Sequence, residues 1–136
     1  MTMEFRDICE NAQRVLGVYS GEFIERVSHL AGKESWCQIS LRKGNGKEEV
    51  LVTLEQIRYL AISDPLELDG FVTVEDVSVT YLPTGGEAWP ETARRFVHGF
   101  PGLPALVWIR ITGPVELDVV ASIITVSAAV DLAAGG

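Results

Sequence analysis

Two histidines, two cysteines and nineteen Asp and Glu side chains are the groups in this 136-residue chain best suited to acid–base, nucleophilic or metal chemistry. Their spacing supplies no complete constellation. A catalytic imidazole needs a nucleophile or an orienting carboxylate beside it, and no local motif gives one to His29 or His98. Both are read as structural, His98 at the end of a short helix where an imidazolium suits the helix C-terminus. Cys9 follows Ile8 on a helix and Cys37 shares the apolar face of a strand, so each thiol is expected to act as a small hydrophobe. There is no C-x-x-C and no Cys/His cluster at zinc spacing, and neither a metal nor a cofactor is expected. Glu67 with Asp69, and Glu116 with Asp118, are two apart, which on a strand puts both carboxylates on one face. Two carboxylates can divide acid and base roles between them. With Leu66, Leu68, Val115 and Leu117 interleaved, the outer face of an amphipathic strand accounts for both pairs. Asp64, Glu67 and Asp69 also depart from the ligand spacing of a calcium loop.

Charge supplies the first candidate surface. The formal net charge is −8, and it is unevenly spread: residues 1–63 carry 8 basic and 9 acidic side chains, residues 64–136 carry 3 and 10. No Lys or Arg falls between Arg58 and Arg94, an interval that holds Asp64, Glu67, Asp69, Glu75, Asp76, Glu87 and Glu91. A chain of this charge repels phosphate, so nucleic acid and anionic membranes are not expected partners. The distribution instead suggests a protein partner with a basic surface, met by Asp64, Glu67, Asp69, Glu75 and Asp76 with Trp89 as an apolar anchor. Inhibitors, immunity proteins, chaperones and adaptors are modules of this kind. The competing reading of the acidic run is a solvated surface, and that of Trp89 is a staple holding a short helix to the core.

Two irregular segments, 83–89 and 98–104, supply the second candidate. The alternative to a partner-binding face is a small-ligand or enzyme pocket between them, built from Glu87, Glu91, Arg94, Arg95, His98 and Phe100. Pro83-Thr84-Gly85-Gly86 before a helix has the look of a phosphate-cradling turn but lacks its Gly-Lys-Ser/Thr ending, and Glu87 and Glu91 oppose a phosphate. A homo-oligomer with the apolar strands at its interface is a third reading.

These residues must be positioned by elements that the hydrophobic pattern outlines. An apolar fraction of 47% with 22% charged residues is a folding composition, and 136 residues suffice for one domain, residues 1–136, without disulfides or metal. Helical spacing of Phe5, Ile8, Ala12 and Val15 predicts a helix over 3–16, capped by Thr2 and stopped at Gly17. Phe23, Ile24, Val27 and Leu30, after a Ser20 cap and before Gly32, predict a second helix. Residues 36–43 alternate as a strand, Gly44-Asn45-Gly46 supplies a tight turn, and 49–52 return as its partner. Thr53 and Gln56 have capping-box spacing, so 54–61 read as a short helix with Leu54, Ile57, Leu60 and Ala61 inward, against a competing uninterrupted strand.

Beyond residue 66 the pattern is mostly β: 71–74 and 77–81, broken by a bulge or turn at Glu75-Asp76, then 106–112 and 115–126 about Gly113-Pro114. Pro90 followed by Glu91 starts a short helix over 90–98. The last strand is apolar on both faces beyond Val119 and belongs in the middle of the sheet. The expected fold is α+β: a mainly antiparallel sheet of about five or six strands, with two N-terminal helices and one or two short helices packed on it. The opening residues lack a basic segment followed by an apolar core, and the charge-free run 119–130 is too short for a membrane span, so a cytoplasmic location is expected.

Overall fold

The computed structural model describes residues 4–44, 49–63 and 72–129. One helix, α1 (Phe5–Gly17), precedes three strands, β1 (Phe23–Leu30), β2 (Trp36–Arg42) and β3 (Glu49–Ile62). Two more strands follow, β4 (Val72–Thr73) and β5 (Asp76–Leu82), then a short helix α2 (Glu91–Phe96), and finally β6 (Leu106–Thr112) and β7 (Leu117–Ala129). The fold is α+β, a seven-stranded antiparallel sheet in the order β4-β1-β2-β3-β7-β6-β5, curled into a half-barrel. The expected five or six strands are therefore seven, and β7 lies inside the sheet between β3 and β6, as its two apolar faces required.

Two expected helical segments are strands, and both fail for one reason. In β1 the register with β2 shifts between Ile24 and Arg26, so Glu25 is an extra residue. Ile24 faces the core opposite Leu41 and Val27 opposite Ile39, three positions apart. In β3, Gln56 has φ of 56° and the register with β7 shifts again between Ile57 and Tyr59, so Leu54, Ile57 and Leu60 all pack on one core at intervals of three. A β-bulge adds one residue to a period of two and so imitates helical spacing. The predicted second N-terminal helix is thus β1, and 54–61 is the second half of one 14-residue strand. The α1 cap also differs: Glu4 occupies the N-cap position and makes no side-chain cap bond, while Thr2 lies outside the described residues.

The curl brings the two edges of the sheet together at Val74 and Glu75. Val74 N–H donates to Glu22 O and its own carbonyl accepts from Gly21 N–H, both at 2.8 Å, which continues the β1 side. One residue later Glu75 N–H donates to Thr112 O at 2.8 Å, on the β6 side. The Glu75-Asp76 break in alternation is this crossing. Gly113 (φ +155°) is required beside it, because a Cβ there would stand 2.8 Å from Thr73 O. Where the edges diverge, α1 fills the gap and its Gln13 amide imitates a neighbouring strand. Its carbonyl accepts from Val79 N–H and its NH2 donates to Val77 O at 3.4 Å.

The inner face holds the main core, in which Cys9, Ala12 and Leu16 of α1 meet inward residues such as Ile39, Val52, Ile109 and Val119. On the outer face a second cluster of Leu82, Leu106, Trp108 and Val120 lies under Trp89, Ala93 and Leu103. Tyr59 stacks on Phe96 with centroids 4.3 Å apart, and Phe96 meets the Trp108 edge at 5.8 Å, which fastens α2 to the sheet. Among the described residues no helix is long and apolar enough to cross a membrane.

Candidate functional site

The segments flanking α2 touch each other through glycine. A Cβ on Gly86 would meet Gly99 Cα at 2.7 Å, and one on Gly99 would meet Gly85 O at 2.6 Å, so both loops can approach only as bare backbone. Gly85 and Gly86 also have φ of +87° and +86°, a conformation that side chains resist. Gly85 N–H donates to Leu103 O at 3.0 Å and Leu103 N–H to Phe100 O at 2.9 Å, while the Leu103 side chain is buried in the outer cluster. Trp89 is buried beside it, and its Nε1–H donates to Pro83 O at 2.6 Å. The loops are therefore held from beneath.

Over this contact opens a cleft of about 580 Å³, lined by Thr84, Gly85, Gly86, Glu87, Arg94, His98, Gly99, Phe100 and Pro101. Four of the six residues expected of a loop pocket meet here: Glu87, Arg94, His98 and Phe100. Glu91 and Arg95 do not line it; they pair with each other at 3.2 Å on an exposed part of α2. One helical position, about 100°, separates the roles of Arg94 and Arg95. No hydrogen bond or ion pair joins Thr84, Glu87, Arg94 and His98 to one another or to another described side chain. Phe100 is 49% exposed at the cleft, an unusual position for a phenyl ring.

The expected acidic face is only partly within view. Asp64, Glu67 and Asp69 lie outside the described residues. Glu75 and Asp76 are exposed at the crossing between the sheet edges, where Asp76 accepts from the Ser20 hydroxyl at 3.2 Å. Trp89, expected as an apolar anchor on that face, is 3% exposed and belongs to the outer core, because a large indole with a satisfied N–H is worth more there. The Glu116 and Asp118 carboxylates alternate with buried Val115, Leu117 and Val119, as an amphipathic strand requires, but differ in surroundings. Glu116 precedes β7 and is exposed, whereas Asp118 has a side chain 13% exposed and accepts from Trp108 Nε1–H at 2.9 Å.

A polar cluster unforeseen in the sequence lies on the outer face of β1, β2 and β3. Arg42 donates to Glu25 from Nε at 3.1 Å and Nη2 at 3.0 Å, and to Glu49 at 2.9 Å. The Ser40 hydroxyl, in a residue 6% exposed, sits between the two carboxyls. Burial pushes the Glu25 carboxyl up, but the hydrogen bonds and charge of Arg42, with those of Glu49 and Ser40, outweigh it and hold Glu25 below the ordinary carboxylate range. The bulge at Glu25 is what turns this side chain to the outer face beside Arg26.

Both thiols are buried, His29 is exposed on β1 rather than on a helix, and burial pushes Cys9 and Cys37 up to about 11, with the Glu10 charge adding to it at Cys9. Neither offers a thiolate near neutrality. Among the described residues no group of three or more His, Cys, Asp and Glu side chains could hold a metal ion. No family model matches the chain, and comparisons with curated proteins and with solved structures found no match.

Proposed function

We propose that the protein is a non-catalytic recognition module that takes a small ligand, or a short stretch of a partner chain, in the cleft between residues 83–89 and 98–104. The observation that carries the reading is the convergence of Arg94, His98, Glu87 and Phe100 over a glycine floor, around a space of about 580 Å³. That volume falls in the range of ligand sites, and Phe100 supplies an exposed aromatic surface beside polar groups that have no side-chain partner among the described residues. A chemical role finds less support, since among the described residues His98 has no orienting carboxylate and Thr84 no base hydrogen-bonded to it. Amide-resolved NMR of the full chain during titration with a fragment library tests the reading. Shifts confined to residues 84–87 and 98–101, abolished by R94A and F100A, are expected; shifts centred elsewhere, or unaffected by both substitutions, would refute it.

A second reading retains the basic partner. Glu75 and Asp76 stand exposed at the sheet crossing within a stretch free of Lys and Arg from residue 59 to 93. Association driven from that face weakens as salt rises, because screening removes the attraction. An affinity for the partner that is unchanged between low and high salt would eliminate it.

A further inference from the structure

Away from the cleft, the register of the sheet gathers an apolar row on an outer face that is otherwise polar. Cys37 and Leu54 point into the main core, so their neighbours Trp36 and Glu55 point outward. Leu30 of β1 pairs with Trp36 of β2, Trp36 with Glu55 of β3, and Glu55 with Ile123 of β7. Leu30 is 52% and Ile123 37% exposed, and Trp36 is half-buried. The adjoining row of Ser28, Gln38, Thr53 and Thr125 is polar. Beside Trp36, Ser35 O accepts from Gln56 N–H at 3.1 Å and Ser35 Oγ from Ile57 N–H at 2.8 Å. These bonds tie the β1–β2 connection to the β3 bulge, where Gln56 has its left-handed backbone, and fix the rim of a hollow of about 370 Å³. Leu30, Glu34, Trp36, Glu55 and Gln56 line it. Among the described residues no hydrogen bond or ion pair engages the Glu34 or Glu55 carboxylate or the Trp36 indole N–H, whereas the indoles of Trp89 and Trp108 both donate within the fold.

We propose that this hollow takes an arginine side chain of a partner protein, its guanidinium flat on the Trp36 indole and bonded to the Glu55 carboxylate. A guanidinium stacks on an aromatic face and presents paired donors that match a carboxylate, a combination that an ammonium lacks. Residues opposed across antiparallel strands stand about 5 Å apart at Cβ, so Trp36 and Glu55 can serve one planar cation. Leu30 and Ile123 supply apolar surface on either side for its stem and for neighbouring side chains. Lys33 also lines the hollow; Glu34, next to it in sequence, offsets that charge and leaves Glu55 in excess. A chain of net charge −8 adds to the attraction for a cation. At about 4.8 Å per strand the row spans about 14 Å, more than one side chain covers, which favours a polypeptide over a free amino acid. The hollow shares no residue with the cleft or with the face of Glu75 and Asp76, and it stands apart from both of those readings.

NMR titration of the full chain with the peptide acetyl-Ala-Leu-Arg-Leu-Ala-amide, and with lysine or citrulline in place of its arginine, tests this. The indole N–H signals report directly, since those of Trp89 and Trp108 are committed to Pro83 O and Asp118 and serve as internal controls. The arginine peptide is expected to shift the Trp36 indole and the amides of Glu55 and Gln56 and to leave the other two indoles in place. It should bind about tenfold or more tightly than the citrulline peptide, and more tightly than the lysine peptide. Glu55→Gln, at an exposed position, should abolish the preference over citrulline without altering the fold. Equal binding of the arginine and citrulline peptides, or a preference untouched by Glu55→Gln, would overturn the proposal. A lysine peptide bound as well as the arginine one would overturn it by removing the guanidinium's part, and so would a Trp36 indole signal that no peptide moves at millimolar concentration.

Discussion

Replacing Gln13 by Ala strips β5 of its substitute neighbour. The Val79 N–H, in a residue 8% exposed, loses its acceptor, and Val77 O loses a long 3.4 Å donor. The second bond is near the limit of useful geometry, so most of the effect belongs to the first. A buried donor left unsatisfied costs about 1–3 kcal/mol. Alanine offsets a few tenths of this, roughly 0.4 kcal/mol, by its better helix propensity. The expected loss is about 1–2 kcal/mol, which is a five- to thirty-fold change in the folded-to-unfolded ratio. Gln13→Glu keeps the acceptor for Val79 and loses only the weaker donor, so at neutral pH it is expected to cost less than Gln13→Ala. Urea unfolding reads the loss as a lower midpoint at unchanged slope, and hydrogen exchange locates it at Val79. If Gln13→Ala left both the midpoint and the Val79 protection at wild-type values, the picture of α1 as the guard of this sheet edge would be wrong.

Gly99→Ala forces a Cβ to within 2.6 Å of Gly85 O, so it should cost about 1–3 kcal/mol in urea unfolding and weaken cleft binding at the same time. Wild-type stability with intact cleft amide shifts would contradict the glycine contact. Trp89→Phe leaves Pro83 O without its donor and should cost about 1–3 kcal/mol in thermal or urea unfolding; a change under about 0.5 kcal/mol would return Trp89 to the surface. Glu25 contributes stability that is fully present above its unfolded value near 4.5 and is lost as pH falls through its lowered folded value. Urea midpoints measured from about pH 6 down to 3 should therefore fall less steeply in Glu25→Gln than in wild type, and parallel curves would show that the Arg42 contact does not bias this carboxyl. Cys9 and Cys37 should be silent to a thiol reagent in the folded protein at about pH 8 and react together on unfolding; rapid labelling of either in the native state would place it outside the core.

Much of the sheet was legible because plain alternation survives in it. The 36–43 pattern reads as β2 since its partners Ile24, Val27, Val50 and Val52 keep Cys37, Ile39 and Leu41 inward. β7 reads as central since Val119, Val120 and Ala121 are buried on two different faces. Legibility ends where a bulge intervenes. Ile24 to Val27, and Leu54 to Ile57 to Leu60, step by three in strands that bend, and single-sequence periodicity cannot separate such a step from a helical one. The same bulge hides the polar cluster: nothing local says that Glu25 turns to the side of Arg42 and Glu49, seventeen and twenty-four positions away. A strand count of seven was equally out of reach, because β4 is two residues long and exists only where the edges cross.

The cleft shows the opposite balance. Part of its lining was readable from the sequence, since the Pro90-Glu91 start places Arg94 on a short helix; the helix ends at Phe96, however, with Val97 extended, so His98 stands in the loop beyond it and not at the expected helix C-terminus. What gathers them around one cleft is the floor, which depends on Gly86 meeting Gly99 thirteen positions later and on Trp89 and Leu103 fastening both loops to the outer core. A glycine in a Pro-rich segment reads only as a turn, and its second use, admitting another backbone where a Cβ would clash, has no local signature. Trp89 misleads for the complementary reason: an aromatic beside two flexible-looking loops suggests an exposed anchor, whereas its indole N–H is already spent on Pro83 O. The aromatic exposed at the cleft is Phe100. The cleft and the element that rigidifies it thus carry different aromatic residues, Phe100 in the loop pocket where it was expected and Trp89 in the role of staple that competed with the anchor reading.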